Sequence, residues 1–181
     1  IPLVFESFNW THGVYLGAMM GSERTAAAEG KAGELRSDPM AMLPFAGYNM
    51  ADYWQHWLDV GEKLPNAPKI FNVNWFRTDD NGRFLWPGFG DNLRVLEWIL
   101  KRCFDEVGAD ETVIGYEPKP EDIDLDGSGV TVETLKELLT LDAKSWRENC
   151  AGIREYFEQF GDKLPHELRE ELEALEKAFA E

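Results

Sequence analysis

The strongest constraint on the fold is a pair of apolar seams with helical spacing near the end of the chain. One seam consists of Trp146, Cys150, Ile153, Phe157 and Phe160, and the other of Leu164, Leu168, Leu172, Leu175 and Phe179. Apolar residues three or four positions apart lie on one face of a helix, which a core can then cover. Pro165 suits the start of the second of these helices, because the first helical turn needs no backbone N–H from it. The pattern predicts a helical tail, residues 131–181, with three helices in the region after residue 125.

Shorter elements precede this helical tail. Short apolar and alternating runs predict strands at residues 2–7, 13–18 and 69–76 and an extended stretch at 112–125. Helices are predicted at residues 51–64 and after Asp91, which is a suitable N-cap. The residues of this second helical region expected to face the core are Leu93, Leu96, Leu100, Cys103 and Val107. The predicted fold class is therefore α/β, with short strands and a helical C-terminal end.

Composition indicates a folded domain. The chain has 181 residues, 44% of them hydrophobic, and seven tryptophans, which excludes disorder and allows a sizeable core. No apolar run approaches the length of a membrane span. The opening IPLVFESFNW has neither a Met nor a basic flank, so we expect a piece of a longer protein and no signal peptide.

The net charge of −16 argues against a nucleic acid or an anionic membrane as partner. Residues 1–100 contain 12 acidic and 8 basic side chains, whereas residues 101–181 contain 22 and 10. The acidic excess of the second half is typical of a solvated helical surface. The first half is closer to neutral and suits a site for an anionic ligand better.

Cysteine and histidine spacing gives no sign of a metal centre. Cys103 and Cys150 occupy apolar positions of helical patterns, so we interpret both as buried thiols of a reducing, cytoplasmic protein. His12, His56 and His166 are far apart and lack metal-ligand spacing.

Residues 74–92 combine aromatic rings with turn-forming residues. The rings are Trp75, Phe76, Phe84, Trp86 and Phe89, and Pro87, Gly88 and Gly90 impose an irregular backbone among them. Rings on such a loop can stack on a flat heteroaromatic base, and Asn92 offers a donor and acceptors to the edge of a base. The same composition fits a small hydrophobic core beneath a long loop. The residues alone leave both interpretations open.

The segment NWFRTDDNGRFLWPGFGDN resembles the guanine-binding segment of GTP-dependent phosphoenolpyruvate carboxykinases. The stretches FNWTHGVYLGA, SERTAAAEGKAG, DPMAMLPFAGYNMADYWQHWL and LPHELREELEALEKAF resemble the same family in the same order. Several long motifs in order are far more specific than one short motif. The resemblance implies that residues 1–181 are one fragment of the C-terminal, nucleotide-binding domain of such an enzyme.

The resemblance also implies which residues contact the nucleotide. The implied GTP-binding set is Trp75, Phe76, Phe84, Phe89, Gly90, Asp91 and Asn92. Phe76 and Phe89 would stack on the two faces of guanine, and Phe84 would close the pocket. Asn92 would hydrogen-bond the edge of the base, beside Asp91, where the family usually has Glu.

Residues 22–33 resemble the mobile lid of the same family. The lid residues implied are Ser22, Glu23, Arg24, Thr25, Ala26, Ala27, Ala28, Glu29, Gly30 and Lys31. Small side chains can close over a site without overfilling it, and glycines can absorb the hinge motion. Better-known members carry Arg in place of Gly21 and His in place of Gly30. Without the resemblance, the helix propensity of this stretch favours a short exposed helix over a lid.

A calcium-binding pattern is also present in the acidic half. Residues 122–127, followed by Glu133, fit the ligand pattern of an EF-hand loop. An EF-hand needs a helix that enters the loop, and Pro118 and Pro120 stand in that place. We therefore predict that this loop does not bind calcium.

The resemblance implies conversion of oxaloacetate and GTP to phosphoenolpyruvate, carbon dioxide and GDP in gluconeogenesis, by a monomeric cytoplasmic enzyme that uses manganese or magnesium. This sequence lacks a phosphate loop of the form GxxxxGK[ST] and the family's manganese-binding cluster. We therefore expect the chain to supply guanine recognition and the lid, and to be inactive alone. Two alternatives stay open: a noncatalytic purine-nucleotide binding module and a helical interaction domain.

Overall fold

The structure, a computed structural model, describes residues 1–23 and 35–180. Within these residues the strands are β1 Val4–Glu6, β2 Gly21–Glu23, β3 Leu35–Ser37, β4 Phe71–Val73, β5 Asp110–Thr112 and β6 Gly115–Glu117. The helices are α1 Trp10–Ala18, α2 Met50–Lys63, α3 Asn92–Cys103, α4 Val132–Leu139, α5 Ala143–Glu158 and α6 His166–Phe179. These elements confirm the predicted α/β class, with short strands and a helical C-terminal end.

The chain divides into two compact units. Unit 1 consists of Ile1–Phe8 and Lys69–Trp146, and unit 2 of Asn9–Pro68 and Arg147–Glu181. Residues 74–92, the predicted base-binding segment, belong to unit 1 together with α3. Of the predicted lid, residues 22–33, the described Ser22 and Glu23 belong to unit 2.

Unit 1 is built on an antiparallel sheet with the strand order β4-β1-β6-β5. The register pairs Val4 of β1 with Val73 of β4, and Glu6 of β1 with Tyr116 of β6. The strand predicted at residues 69–76 is confirmed over its central part. The extended stretch predicted at 112–125 is wrong beyond residue 117, because the chain turns into a short 3-10 helix at residues 120–122.

One hydrophobic core serves β1, α3 and α4 of unit 1. Its buried members are Leu3, Val4, Trp86, Val95, Trp98, Ile123, Leu135, Leu138 and Leu139. Val107 packs against it partly buried, as predicted. Because the core receives rings and aliphatic chains from strand, loop and helix together, it holds the start of α3 in a defined place.

The predicted core face of α3 is wrong. Leu93, Leu96 and Leu100 are 72%, 40% and 57% exposed, and Cys103 is exposed as well. The helix has apolar residues on two sides and can turn only one of them to the core. The side that carries Trp98 is buried, because a Trp ring removes more apolar surface from water than a leucine does.

Residues 13–18, predicted as a strand, belong to helix α1 of unit 2. The Asn9 side chain caps this helix by accepting the His12 backbone N–H at 2.9 Å. Most of its residues are buried, which removes the polar face by which an amphipathic helix is recognised. A short apolar run of this kind cannot be told from a strand by periodicity.

The helices of unit 2 that were predicted from sequence are confirmed. In α2 the side chains of Trp54 and Leu58 face inward and are buried. The seam residues of the two last helices are buried or half-buried, and Cys150 is buried as predicted. Trp54 lies 4.7 Å from Phe160, centroid to centroid, so aromatic rings join α2 to the end of α5.

We predict that Gly115→Ala lowers the free energy of unfolding by about 3 kcal/mol. Gly115 has a φ of +139°, and a Cβ there would lie 2.3 Å from the Glu6 carbonyl oxygen. The clash is with the backbone of the paired strand, which cannot move without loss of sheet hydrogen bonds. Urea unfolding measures the loss. Gly108→Ala is the control, since its Cβ would meet no atom within 4 Å, and equal losses in both variants would contradict the prediction.

A second prediction concerns the pH dependence of stability. Glu117 is 6% exposed, and burial, with a contribution from Asp110 opposed by the Ile1 ammonium group, raises its pKa to about 7. The unfolded chain releases this proton near pH 4.5, so the contribution of Glu117 to stability falls as the pH rises from about 4.5 to about 7, against an opposite contribution from His12, whose pKa is lowered to about 4. Glu117→Gln should remove this fall and be more stable than the wild type at pH 8 by about 2 kcal/mol.

Urea unfolding at pH 5 and pH 8 checks this prediction. Glu111→Gln, on the same hairpin but exposed, should keep the wild-type difference between the two pH values. A Glu117→Gln variant that retains the full wild-type difference would show that another group causes it.

Candidate functional site

Residues 74–92 leave the sheet directly after β4. The Asn74 backbone N–H donates to the Leu3 carbonyl at 2.9 Å and extends the pairing with the chain before β1. The Asn74 side chain donates to the Ile1 carbonyl at 2.9 Å and accepts the Phe76 N–H at 3.1 Å. One side chain thus fixes the point at which the segment departs from the sheet.

The run Asp79-Asp80-Asn81-Gly82, whose composition predicts a turn, forms one in the structure. The Asp79 carboxylate accepts the backbone N–H groups of Asn81 at 2.8 Å and Arg83 at 2.9 Å. The chain then doubles back, and Thr78 pairs with Phe84 in an antiparallel bridge. The turn therefore places Phe76 and Phe84 close together.

The five rings of the segment divide into a buried pair and an exposed set. Trp86 is 1% exposed and stacks against the half-buried Trp75, with ring centroids 6.5 Å apart. Phe76, Phe84 and Phe89 are 72%, 64% and 96% exposed. Phe76 and Phe84 meet edge to face at 6.2 Å. The tryptophans thus form the small core that composition allowed, while the phenylalanines present their rings to solvent.

Phe89 lies just before α3, with its ring exposed to solvent. Gly88 has a φ of +97°, a conformation that favours glycine, and a Cβ at Gly90 would meet no atom within 4 Å. Phe89 stands between them, almost fully exposed. A ring with 96% of its surface exposed leaves room for a flat ligand to stack on it.

Asp91 and Asn92 make contacts that sequence patterns did not reveal. Asp91 is the N-cap of α3, as predicted, but its side chain accepts from Arg94 Nε at 2.8 Å instead of capping the backbone. Asn92, the first helical residue, accepts the indole N–H of Trp86 on Oδ1 at 2.9 Å. No periodicity or motif predicts this hydrogen bond, because only the folded loop brings Trp86 and Asn92 together.

Arg94 also occupies the loop that has the calcium-binding pattern. Its guanidinium donates to the carbonyl oxygens of Asp124 at 2.7 Å and Asp126 at 2.6 Å. The predicted absence of an entering helix is confirmed, since residues 120–122 form a 3-10 turn. The Arg94 guanidinium therefore binds two carbonyl oxygens of this loop. That the loop does not bind calcium stays a prediction.

The predicted lid falls mostly outside the described residues. Only Ser22 and Glu23 are described, within β2, and they pair with Arg36 and Leu35 of β3. Strand β3 is followed by Asp38, which is 1% exposed. Arg24, Thr25, Ala26, Ala27, Ala28, Glu29, Gly30 and Lys31 lie outside the described part of the chain.

Asp38 ties together the chain that follows the predicted lid. Its carboxylate pairs with Arg36 at 2.8 Å and accepts the Leu43 backbone N–H at 2.9 Å. Between these partners Met40 and Ala41 take φ values of 52° and 54°, in the left-handed region. A buried carboxylate with these partners holds a backbone conformation that neither residue favours.

The three histidines lie in three different environments. His12 is buried, which lowers its pKa to about 4 and keeps the ring neutral. His56 stacks on Tyr53, and His166 lies 3.3 Å from Glu170. Among residues 1–23 and 35–180, no three His, Cys, Asp or Glu side chains converge as metal ligands. No helix in the same residues is long and apolar enough to cross a membrane.

Comparison with known proteins places the whole chain in one family. The sequence model of the phosphoenolpyruvate carboxykinase C-terminal P-loop domain matches residues 1–178. The phosphoenolpyruvate carboxykinase [GTP] of Thermoplasma volcanium is 54% identical over 177 residues, which cover 98% of this chain and 29% of that protein. That of Anaeromyxobacter sp. strain K is 50% identical over 175 residues, or 97% of this chain and 29% of that protein. The chain thus spans about 29% of the length of these relatives.

We predict that Arg94→Ala lowers the free energy of unfolding by about 2 kcal/mol, because it leaves Asp91 and two loop carbonyls without their charged donor. Urea unfolding at low salt measures the change, and added calcium should not restore the loss. Lys101→Ala is the matched control, since it removes only an exposed pair with Glu97 on the same helix. An Arg94→Ala variant as stable as this control would contradict the prediction.

Proposed function

The chain belongs to the family of the phosphoenolpyruvate carboxykinase C-terminal P-loop domain, and we propose that it is part of a GTP-dependent enzyme of this kind. The parent enzyme converts oxaloacetate and GTP to phosphoenolpyruvate, carbon dioxide and GDP in gluconeogenesis. Within it, residues 74–92 bind the guanine base, and residues 22–33 act as the lid.

The observation that supports base binding is the exposure of three phenylalanines in a segment whose tryptophans are buried or half-buried. Phe76, Phe84 and Phe89 are each more than 60% exposed, whereas Trp86 of the same segment is almost fully buried. Each stack on a base contributes about 1–3 kcal/mol in nucleic-acid binders.

Polar groups at the start of α3 suit the edge of the base. Asn92 has an amide that can donate and accept, and Gly90 leaves space for close approach of the backbone. Asp91 is held by Arg94 at 2.8 Å, so its carboxylate is positioned before any ligand arrives. We propose that these groups read the base, with Phe89 stacked on one face.

The phosphates and the metal need groups that this segment does not contribute. The described residues bring together no cluster of three metal ligands. We propose that the manganese or magnesium and the phosphate groups are held by other parts of the parent enzyme. This chain then recognises the nucleotide but does not turn it over alone.

A helical interaction domain is the second candidate function. It is favoured by the exposed stripe of Leu93, Leu96 and Leu100 on α3. Binding of GDP separates the two functions, because an interaction domain has no reason to bind a nucleotide. Quenching of tryptophan fluorescence by GDP but not by ADP supports the carboxykinase segment.

We predict that Phe89→Ala weakens GDP binding about tenfold, through loss of one stacking face. Fluorescence titration with GDP measures the dissociation constant. The matched control is Phe104→Ala, which removes a ring that is 71% exposed at the other end of the same helix. Equal affinities of the two variants for GDP would contradict the assignment of Phe89, and absence of GDP binding to the wild type would contradict the proposed function.

A further inference from the structure

The orientation of the Asn92 amide follows from the chemistry of its partner. An indole N–H can donate a hydrogen bond but cannot accept one. The atom of Asn92 that lies 2.9 Å from Trp86 Nε1 must therefore be the oxygen, Oδ1. The two ends of the amide are not interchangeable here, and its NH2 group points away from Trp86.

Trp86 is in a position to hold that orientation. Its ring is 1% exposed, belongs to the core of unit 1 and stacks on Trp75. Rotation of the Asn92 amide would bring its NH2 group against the indole N–H and leave a buried donor without an acceptor. Two other fully buried indoles, those of Trp54 and Trp98, have no hydrogen-bond partner for Nε1 among the described residues. The bond made by Trp86 is thus not a general property of tryptophans in this core.

We propose that Trp86 is a positioning residue that makes the site selective for 6-oxopurines over 6-aminopurines. The inference rests on the proposed function, because it assigns a direction to the contact between Asn92 and the base. An outward NH2 group donates to the 6-oxo oxygen of guanine or hypoxanthine. It meets the 6-amino group of adenine donor to donor, which disfavours that base.

A freely rotating amide would not discriminate in this way. It could turn its oxygen toward a 6-amino group and its NH2 group toward a 6-oxo group. Selectivity therefore comes from the fixed direction of the amide, and Asn92 alone does not determine it. Trp86 contributes to the choice of base although it need not touch the base.

Calorimetric titration of the 181-residue chain with GDP, IDP and ADP tests the proposal. IDP carries the 6-oxo group without the 2-amino group of guanine, so its comparison with ADP isolates the contact at the 6-position and its neighbouring ring nitrogen. Trp86→Phe removes the indole donor and keeps an aromatic ring in the core. Trp98→Phe is the matched control, since it makes the same change in the same core at an indole that does not contact Asn92.

We expect Trp86→Phe to reduce the preference for IDP over ADP about tenfold, whereas Trp98→Phe keeps the wild-type preference. Asn92→Asp should shift the preference toward ADP, because Trp86 then holds one carboxylate oxygen and the other faces the base as an acceptor. Circular dichroism confirms that each variant is folded.

Three results would count against the inference. A Trp86→Phe variant that binds IDP and ADP more weakly by the same factor would show a merely structural role. An equal loss of preference in Trp98→Phe would assign the effect to core packing. A wild-type chain that binds none of the three nucleotides overturns the proposed function, and the inference with it, whereas the first two results leave base binding intact.

Discussion

The hydrogen bond from the Trp86 indole to Asn92 is the interaction on which the candidate site depends. Trp86 is buried in the core that serves β1, α3 and α4, whereas Asn92 begins α3 at the edge of the aromatic loop. The bond extends the close packing of that core to a polar group at the surface. Around it, Phe76 and Phe89 can remain exposed because other contacts maintain the shape of the loop.

The orientation of α3 decides whether that bond can form. Val95 and Trp98 face the core, and Asn92 lies one turn before Val95 on the same side of the helix. If the leucine stripe at residues 93, 96 and 100 had faced inward, Asn92 would have been carried away from Trp86. The packing that exposes three leucines is therefore the packing that brings the amide to the indole.

Particular residues show how far the sequence predicted the structure. The seams of α5 and α6 were predicted correctly, because their apolar residues repeat on one face and polar residues occupy the other. Helix α1 was predicted as a strand, because its burial leaves no polar face on the helix. The face of α3 was wrong for a different reason: two apolar stripes compete on it, and only the neighbouring elements choose between them.

The sequence by itself determined the fold class, the helical C-terminal end, the turn at Asp79 and the concentration of rings in residues 74–92. Each of these is local, since it follows from spacing along the chain or from the conformational preferences of single residues. Only the tertiary structure decided which rings are buried, that Cys103 is exposed, that Arg94 occupies the acidic loop and that Asn92 accepts from Trp86. These depend on contacts between residues distant in the chain or on competition among apolar faces, and no local preference specifies the outcome.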